Sequence, residues 1–173
     1  MNRIFILAFV LFATLFAVNA APLELVKRET KFPPCPNAPP DVVGLDVKMT
    51  PDPFVPGKEE TFDIKGTLKK DIVAGDLLGV GFIDLVTVAP IGDPLVVDIC
   101  TLPGVTCPIK AGTAFSTTQQ LTAPAASDLP KSYAIVIAME HGTPPDVEAL
   151  ACSAAIFGAD SDSSAVPDFW SFL

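Results

Sequence analysis

The chain has 173 residues, 20 acidic against 11 basic side chains and a formal net charge of −9. That balance argues against nucleic acid, which needs a basic footprint, and against adsorption to anionic membranes through bulk charge. Eighteen prolines and 11 glycines, with Val, Ile, Thr and Phe in place of Glu-Lys-Ala runs, favour one all-β domain long enough to bury a core.

Residues 1–20 have the form of a secretory signal. Arg3 supplies the positive start, residues 4–18 are apolar, and Val18-Asn19-Ala20 offers small residues for cleavage after Ala20. That apolar core is short for a membrane span. Residues 21–28 read as a propeptide ending in the dibasic pair Lys27-Arg28, so the mature domain is expected over 29–157. Removing residues 1–28 takes away three positive charges and one negative, and −9 becomes −11. The expected location is outside the cell, or the lumen of the secretory or vacuolar pathway, where disulfides are permitted. No Asn-X-Ser/Thr sequon is present.

The mature region opens on a proline-rich lead-in, residues 32–40, which cannot be helical and is pinned by Cys35. A strand over 42–49 follows, with Val43, Leu45, Val47 and Met49 on one face and Asp46 and Lys48 on the other. Residues 51–57 form a rigid proline connector. The next strand, 60–68, sets Phe62, Ile64 and Leu68 against Thr61, Asp63 and Lys65, and Lys69-Lys70-Asp71 is a polar turn. Residues 77–88 are apolar on both faces, as in a central strand. Shorter strands follow at 94–100 and at 114–121, the latter with a Thr/Gln-rich polar face. Residues 132–140 carry Tyr133, Ile135, Ile137 and Met139 on one side, and 148–157 carry the last cysteine. Seven short strands separated by Pro/Gly turns predict a two-sheet β-sandwich. Residues 158–173 are an acidic tail ending in an aromatic tip, Phe169-Trp170-Ser171-Phe172-Leu173, expected to be loosely ordered.

Cys100 and Cys107 flank the turn residues Pro103-Gly104, which let the chain fold back within bonding distance. Cys35 and Cys152 lie towards the two ends. Four cysteines allow three pairings, of which Cys100–Cys107 nested inside Cys35–Cys152 is the simplest. In the loop-entropy model the short loop contributes roughly 2–2.5 kcal/mol and the long one roughly 5 kcal/mol.

Catalytic constellations are scarce. The single histidine, His141, precedes Gly-Thr-Pro-Pro and is expected in a turn. The cysteine spacings match no metal pattern. No Gly-X-Ser-X-Gly elbow presents a nucleophile, and neither a phosphate loop nor a dinucleotide fingerprint occurs. Carboxylates are numerous enough that a glycosidase pair is not excluded by counting. The expectation is a binding protein with no catalytic residues, no metal and no cofactor.

Several elements resemble the ML (MD-2-related lipid-recognition) family, in particular fungal phosphatidylglycerol/phosphatidylinositol transfer proteins and Niemann-Pick C2-type sterol carriers. They are the early Cys35, Pro51-Asp52-Pro53 and Pro56-Gly57 leading into a strand, Asp98-Ile99-Cys100 followed by Cys107-Pro108-Ile109 and Gly112, Tyr133 opening a strand after Pro130, and Leu150-Ala151-Cys152. The resemblance spans about residues 35–157. It implies an immunoglobulin-like sandwich whose sheets separate around an apolar cavity. It also implies a lipid ligand, sterol or phospholipid, transient contact with membranes, and a monomer. Facing sheets ordinarily pack about 10 Å apart. The alternating residues Leu45, Val47, Phe62, Ile64, Phe82, Phe115, Ile135, Ile137 and Met139 are the candidates for the cavity lining, and residues 51–57 or the 100–107 loop for a mobile mouth.

Two departures stand out. The third disulfide typical of sterol-carrying relatives lacks its cysteines, and a Lys-Tyr-Gly-like segment is replaced by Gly79-Val80-Gly81-Phe82. Lys65, Lys69, Lys70 and Lys131 are candidates for a phosphate-binding rim, with solvated turns as their ordinary alternative. The rival functional reading is a secreted recognition module that binds a receptor or glycan through its surface.

Overall fold

Alternation of apolar and polar residues builds two antiparallel sheets. The computed structural model describes residues 29–143 and 146–158. The expected signal with Ala20, the segment with Lys27-Arg28 and the tail beyond Gly158 lie outside the described residues. Seven strands run in chain order: β1 (Asp46–Thr50), β2 (Glu59–Thr67), β3 (Leu77–Asp84), β4 (Pro90–Asp98), β5 (Ala114–Thr122), β6 (Tyr133–Thr143) and β7 (Asp146–Phe157). One sheet has the order β1-β2-β5 and the other β4-β3-β6-β7. The chain is an all-β, immunoglobulin-like sandwich, as the sequence predicts.

Register stacks the large side chains. Met49 lies opposite Phe62 and Val47 opposite Ile64 in the smaller sheet. In the larger sheet Leu78, Val80 and Phe82 of β3 face Met139, Ile137 and Ile135 of β6. These inward rows form one apolar cluster, and each fully buried large side chain contributes about 1.5–3 kcal/mol. A smaller cluster of Cys35, Ala134, Val136, Ala138, Cys152 and Ala154 occupies the other side of the larger sheet.

The strand boundaries differ from expectation where polar groups intervene. The first strand begins at Asp46 instead of 42, because Val43 is still bonded to the other sheet: its amide donates to Leu150 O and its carbonyl accepts from Cys152 N. β3 stops at Asp84, four residues early, because Asp84 Oδ1 accepts the amides of Val86 and Thr87 at 2.7 and 3.1 Å and closes a turn. β4 begins at Pro90 rather than 94. Gly92, at φ 73°, and Pro94 fall where its pairing with β3 shifts register between Val80 and Phe82, a bulge of the kind an edge strand tolerates. Residues 99–101 are a 3-10 turn and not strand. Asp98 caps it, accepting Cys100 N at 2.8 Å. His141 lies within β6, paired with Glu148, and not in a turn.

Both nested disulfides are present, Cys35–Cys152 and Cys100–Cys107. Cys35 lies in the lead-in and ties it to β7. Beside it, buried Ser153 links the two sheets: its Oγ accepts Leu45 N at 2.8 Å and donates to Leu45 O at 3.1 Å. Replacing Ser153 by Ala leaves both backbone groups of Leu45 unpartnered. The expected loss is about 1–3 kcal/mol in urea unfolding, and an unchanged midpoint would remove Ser153 from the seam.

Candidate functional site

All nine residues expected on the inner face fall in one apolar cluster. Their exposures range from 0% for Phe62, Ile64, Ile135, Ile137 and Met139 to 7% for Val47 and Phe115. In this conformation the space between the sheets is occupied by these side chains, and a guest molecule would require the sheets to part.

The two long flanks of the sandwich are built differently. Along β1 and β7 the sheets are tied by Val43, by Ser153 and by the disulfide-anchored lead-in. Along the opposite flank run the edge strands β4 and β5. There Ile91, Leu95, Val97 and Leu121 are only partly buried against the core. The 100–107 loop meets one end of this flank, where Thr117 Oγ1 donates to Pro103 O at 3.4 Å. At the other end Pro124 approaches Gly92. This second flank is where separation breaks the fewest backbone bonds.

One end of the sandwich is closed by aromatic rings. Phe54, half-buried in the proline connector, reaches from the smaller sheet to Phe82, Tyr133 and Phe157 of the larger one, at centroid distances of 5.8, 6.0 and 5.6 Å. Tyr133 and Phe157 stack at 5.0 Å. Such pairs add about 0.5–1.5 kcal/mol each beyond area burial. Sequence reasoning missed Phe54 because neighbouring prolines mark its segment as connector, with no alternation to give it a face.

The same end holds a buried carboxylate. Glu60 is fully buried on the inward row of β2. Its Oε1 accepts Val55 N at 2.7 Å, fixing the connector. Its Oε2 is buried and has no hydrogen-bond partner among the described residues. An unsatisfied buried acceptor costs about 1–3 kcal/mol, more when charged. Burial pushes the Glu60 carboxyl above the usual carboxylate range, with the Val55 amide opposing and the charge of Asp52 adding to the rise. Glu60 was also missed from the sequence, although its two-residue spacing from Phe62 was the signal.

The other candidates disperse. Lys70 is paired with Asp41 and Glu148, Lys69 donates to Pro40 O, and Lys131 precedes β6 at the opposite end, so these lysines form no common rim. His141 Nδ1 pairs with buried Asp76, whose Oδ2 also accepts Val73 N. This couples β6 to the turn before β3. A hollow of about 300 Å³ lies on the outward face of the larger sheet, lined by Gly79, Gly81, Pro94, Val96, Val136 and Ala138 among others.

These elements define a disulfide-tied, two-sheet β-sandwich whose interior is apolar apart from a few buried polar side chains such as Glu60. The family model described as the ML domain matches residues 29–153, and the chain belongs to that family. Among solved structures it is similar to a Niemann-Pick type C2 protein from Japanese carpenter ant, with 20% identity, 73% of this chain and 96% of that chain covered and a TM-score of 0.48. It is also similar to chicken MD-1 complexed with lipid IVa, with 16% identity, 65% and 80% covered and a TM-score of 0.40. No curated protein matches by sequence.

The carboxylates give stability a defined pH dependence. Burial raises Glu60 and Glu140 above their ordinary 4.5, so the folded state binds their protons more tightly than the unfolded chain. Stability withheld at neutral pH is recovered as pH falls towards 4.5. Asp41 is held below 3.8 by Lys70, Asp71 by Lys110 and Asp84 by the amides of its turn. The stability they supply is lost as pH drops below 3.8. Urea midpoints across pH ~3 to ~7 should therefore pass through a mildly acidic maximum, and Glu60→Gln should flatten its neutral side. A midpoint that rises steadily to neutrality would contradict this assignment.

Proposed function

We propose that the protein is a non-enzymatic lipid carrier that opens along the β4/β5 flank and encloses the apolar part of a sterol or phospholipid between its sheets. The observation that carries this reading is the asymmetry of the flanks: a continuous apolar interior is latched along one and covered by half-buried side chains along the other. The nine inward residues, from Leu45 to Met139, are then the lining. Each methylene transferred from water among them contributes about 0.8 kcal/mol. Membership of the ML-domain family supports the same reading.

The aromatic end is the side proposed to touch membranes. Val55 and Val86 there are 42% and 80% exposed, an apolar tip on an otherwise acidic body. Secretion follows from the expected signal segment, and the protein acts as a monomer in the lumen of the pathway or outside the cell.

A second reading, a surface recognition module, is favoured by the outward-face hollow beside Gly79 and Gly81. One experiment separates the two. Mass spectrometry of the secreted protein, native and then denatured, should release lipid in near-stoichiometric amount, and fluorescent lipid should pass between vesicles in its presence. An empty protein that refuses added sterols and phospholipids would leave the surface reading.

The Cys100–Cys107 loop sits at one end of the opening flank. Replacing both cysteines by Ser should cost roughly 2–2.5 kcal/mol of stability yet leave the domain folded, while accelerating lipid release. Equal loss of binding and folding would reject that role.

A further inference from the structure

The carrier reading does not by itself say which end of a lipid the interior recognises; Glu60 does. Holding the connector in place requires one acceptor, and Oε1 serves Val55 N in that role. The second oxygen, buried to the same degree, is used by no group among the described residues. Buried polar atoms in native proteins nearly always have partners, and an exception calls for an explanation. Glu60 precedes Phe62 and Ile64 on the inward row of β2 and lies opposite Leu121. It therefore stands at the head of an apolar column, below the Phe54 ring cluster.

We propose that Glu60 is the polar anchor of the interior: its free Oε2 accepts the hydroxyl hydrogen of an uncharged lipid alcohol whose apolar body lies along Phe62 and Ile64. The inference rests on the carrier reading and narrows it to cargo with an O–H donor on a neutral head. The phosphodiester of a phospholipid brings a negative charge, so even a head that carries hydroxyl donors, such as glycerol or inositol, would bring that charge in beside its O–H groups. The charge would confront Glu60 and also Asp52, which Thr30 holds through its amide at 2.7 Å and its hydroxyl at 2.6 Å. An ammonium head would satisfy the acceptor, but its charge would have to be desolvated in an apolar interior. A hydroxyl meets both conditions.

Two substitutions isolate the donor–acceptor relation from folding. In Glu60→Gln the side-chain carbonyl must still face Val55 N, which turns the NH₂ to where Oε2 stood. The anchor changes from acceptor to donor while the connector keeps its bond. Glu60→Leu removes the anchor altogether. The readout is displacement of bound dehydroergosterol from the full secreted chain by cholesterol and by cholesteryl methyl ether, which share one body and differ by the O–H.

The wild type should prefer the alcohol at least about tenfold, since a site built around a hydroxyl rejects an analogue lacking its donor. In Glu60→Gln the ratio should fall to near one, because an NH₂ donates equally well to an alcohol or an ether oxygen. Glu60→Leu should give the same collapse, and if it fails to fold, Glu60→Gln decides. A merely structural role for Glu60 would shift both affinities together and leave their ratio unchanged, which overturns the proposal. A wild type that takes up phosphatidylglycerol from vesicles but neither sterol overturns it while sparing the carrier reading. A wild type that binds none of these probes overturns both.

Discussion

The architecture depends on the short crossing in which the chain leaves the edge of one sheet and enters the other. Val43 is bonded to β7 and Asp46 of β1 already pairs with Lys65 of β2, so only Gly44 and Leu45 span the gap. Ser153 makes this crossing possible. Its hydroxyl satisfies both backbone groups of Leu45 where neither sheet can, in a place that water does not reach. Cys35–Cys152 holds the lead-in against the same strand. With that flank secured, side-chain packing is the main force between the remaining strands of the two sheets, and it acts on an interior that is apolar almost throughout.

Glu60 is the main conflict inside that interior. Local consistency would put an apolar residue at the head of the β2 row, as at Phe62 and Ile64. A carboxylate there costs free energy, and the Val55 bond offsets only part of it. Conflicts of this kind are expected where function constrains sequence. The nearby Phe54 cluster is its counterpart, an aromatic contact between the proline connector and the opposite sheet, which closes the same end without polar groups.

Much of this was legible in the sequence. Alternation placed Phe62 and Ile64, and Ile135, Ile137 and Met139, on inward rows, and the nested cysteine pairing was the simplest of the three that four cysteines allow. What escaped was carried by residues whose partners are remote in sequence. Ser153 reads as a small residue in an alanine-rich strand until Leu45, 108 positions away, is brought beside it. Asp84 shortens a run that looks continuously apolar by capturing two amides, and Asp98 does the same to the end of β4. Pro94 looked like a strand start because proline ordinarily punctuates, yet on an edge strand its missing N–H is harmless. Glu60 sits next to Glu59, and a pair of acids at the start of a strand reads as solvent-facing unless the alternation is followed back to its first residue.

The unequal flanks bear on how cargo of different shapes would be handled. A tunnel loaded from one end must thread its guest, so long chains pass slowly and fused rings or branches jam. A sandwich latched along one side and parting along the other is loaded sideways, over the full length of the guest at once. Its tolerance would then be set by thickness, the separation the two sheets can reach, and hardly by length. Flat ring systems and straight chains of similar cross-section would be equally acceptable to the walls, which leaves discrimination to the polar group at one end.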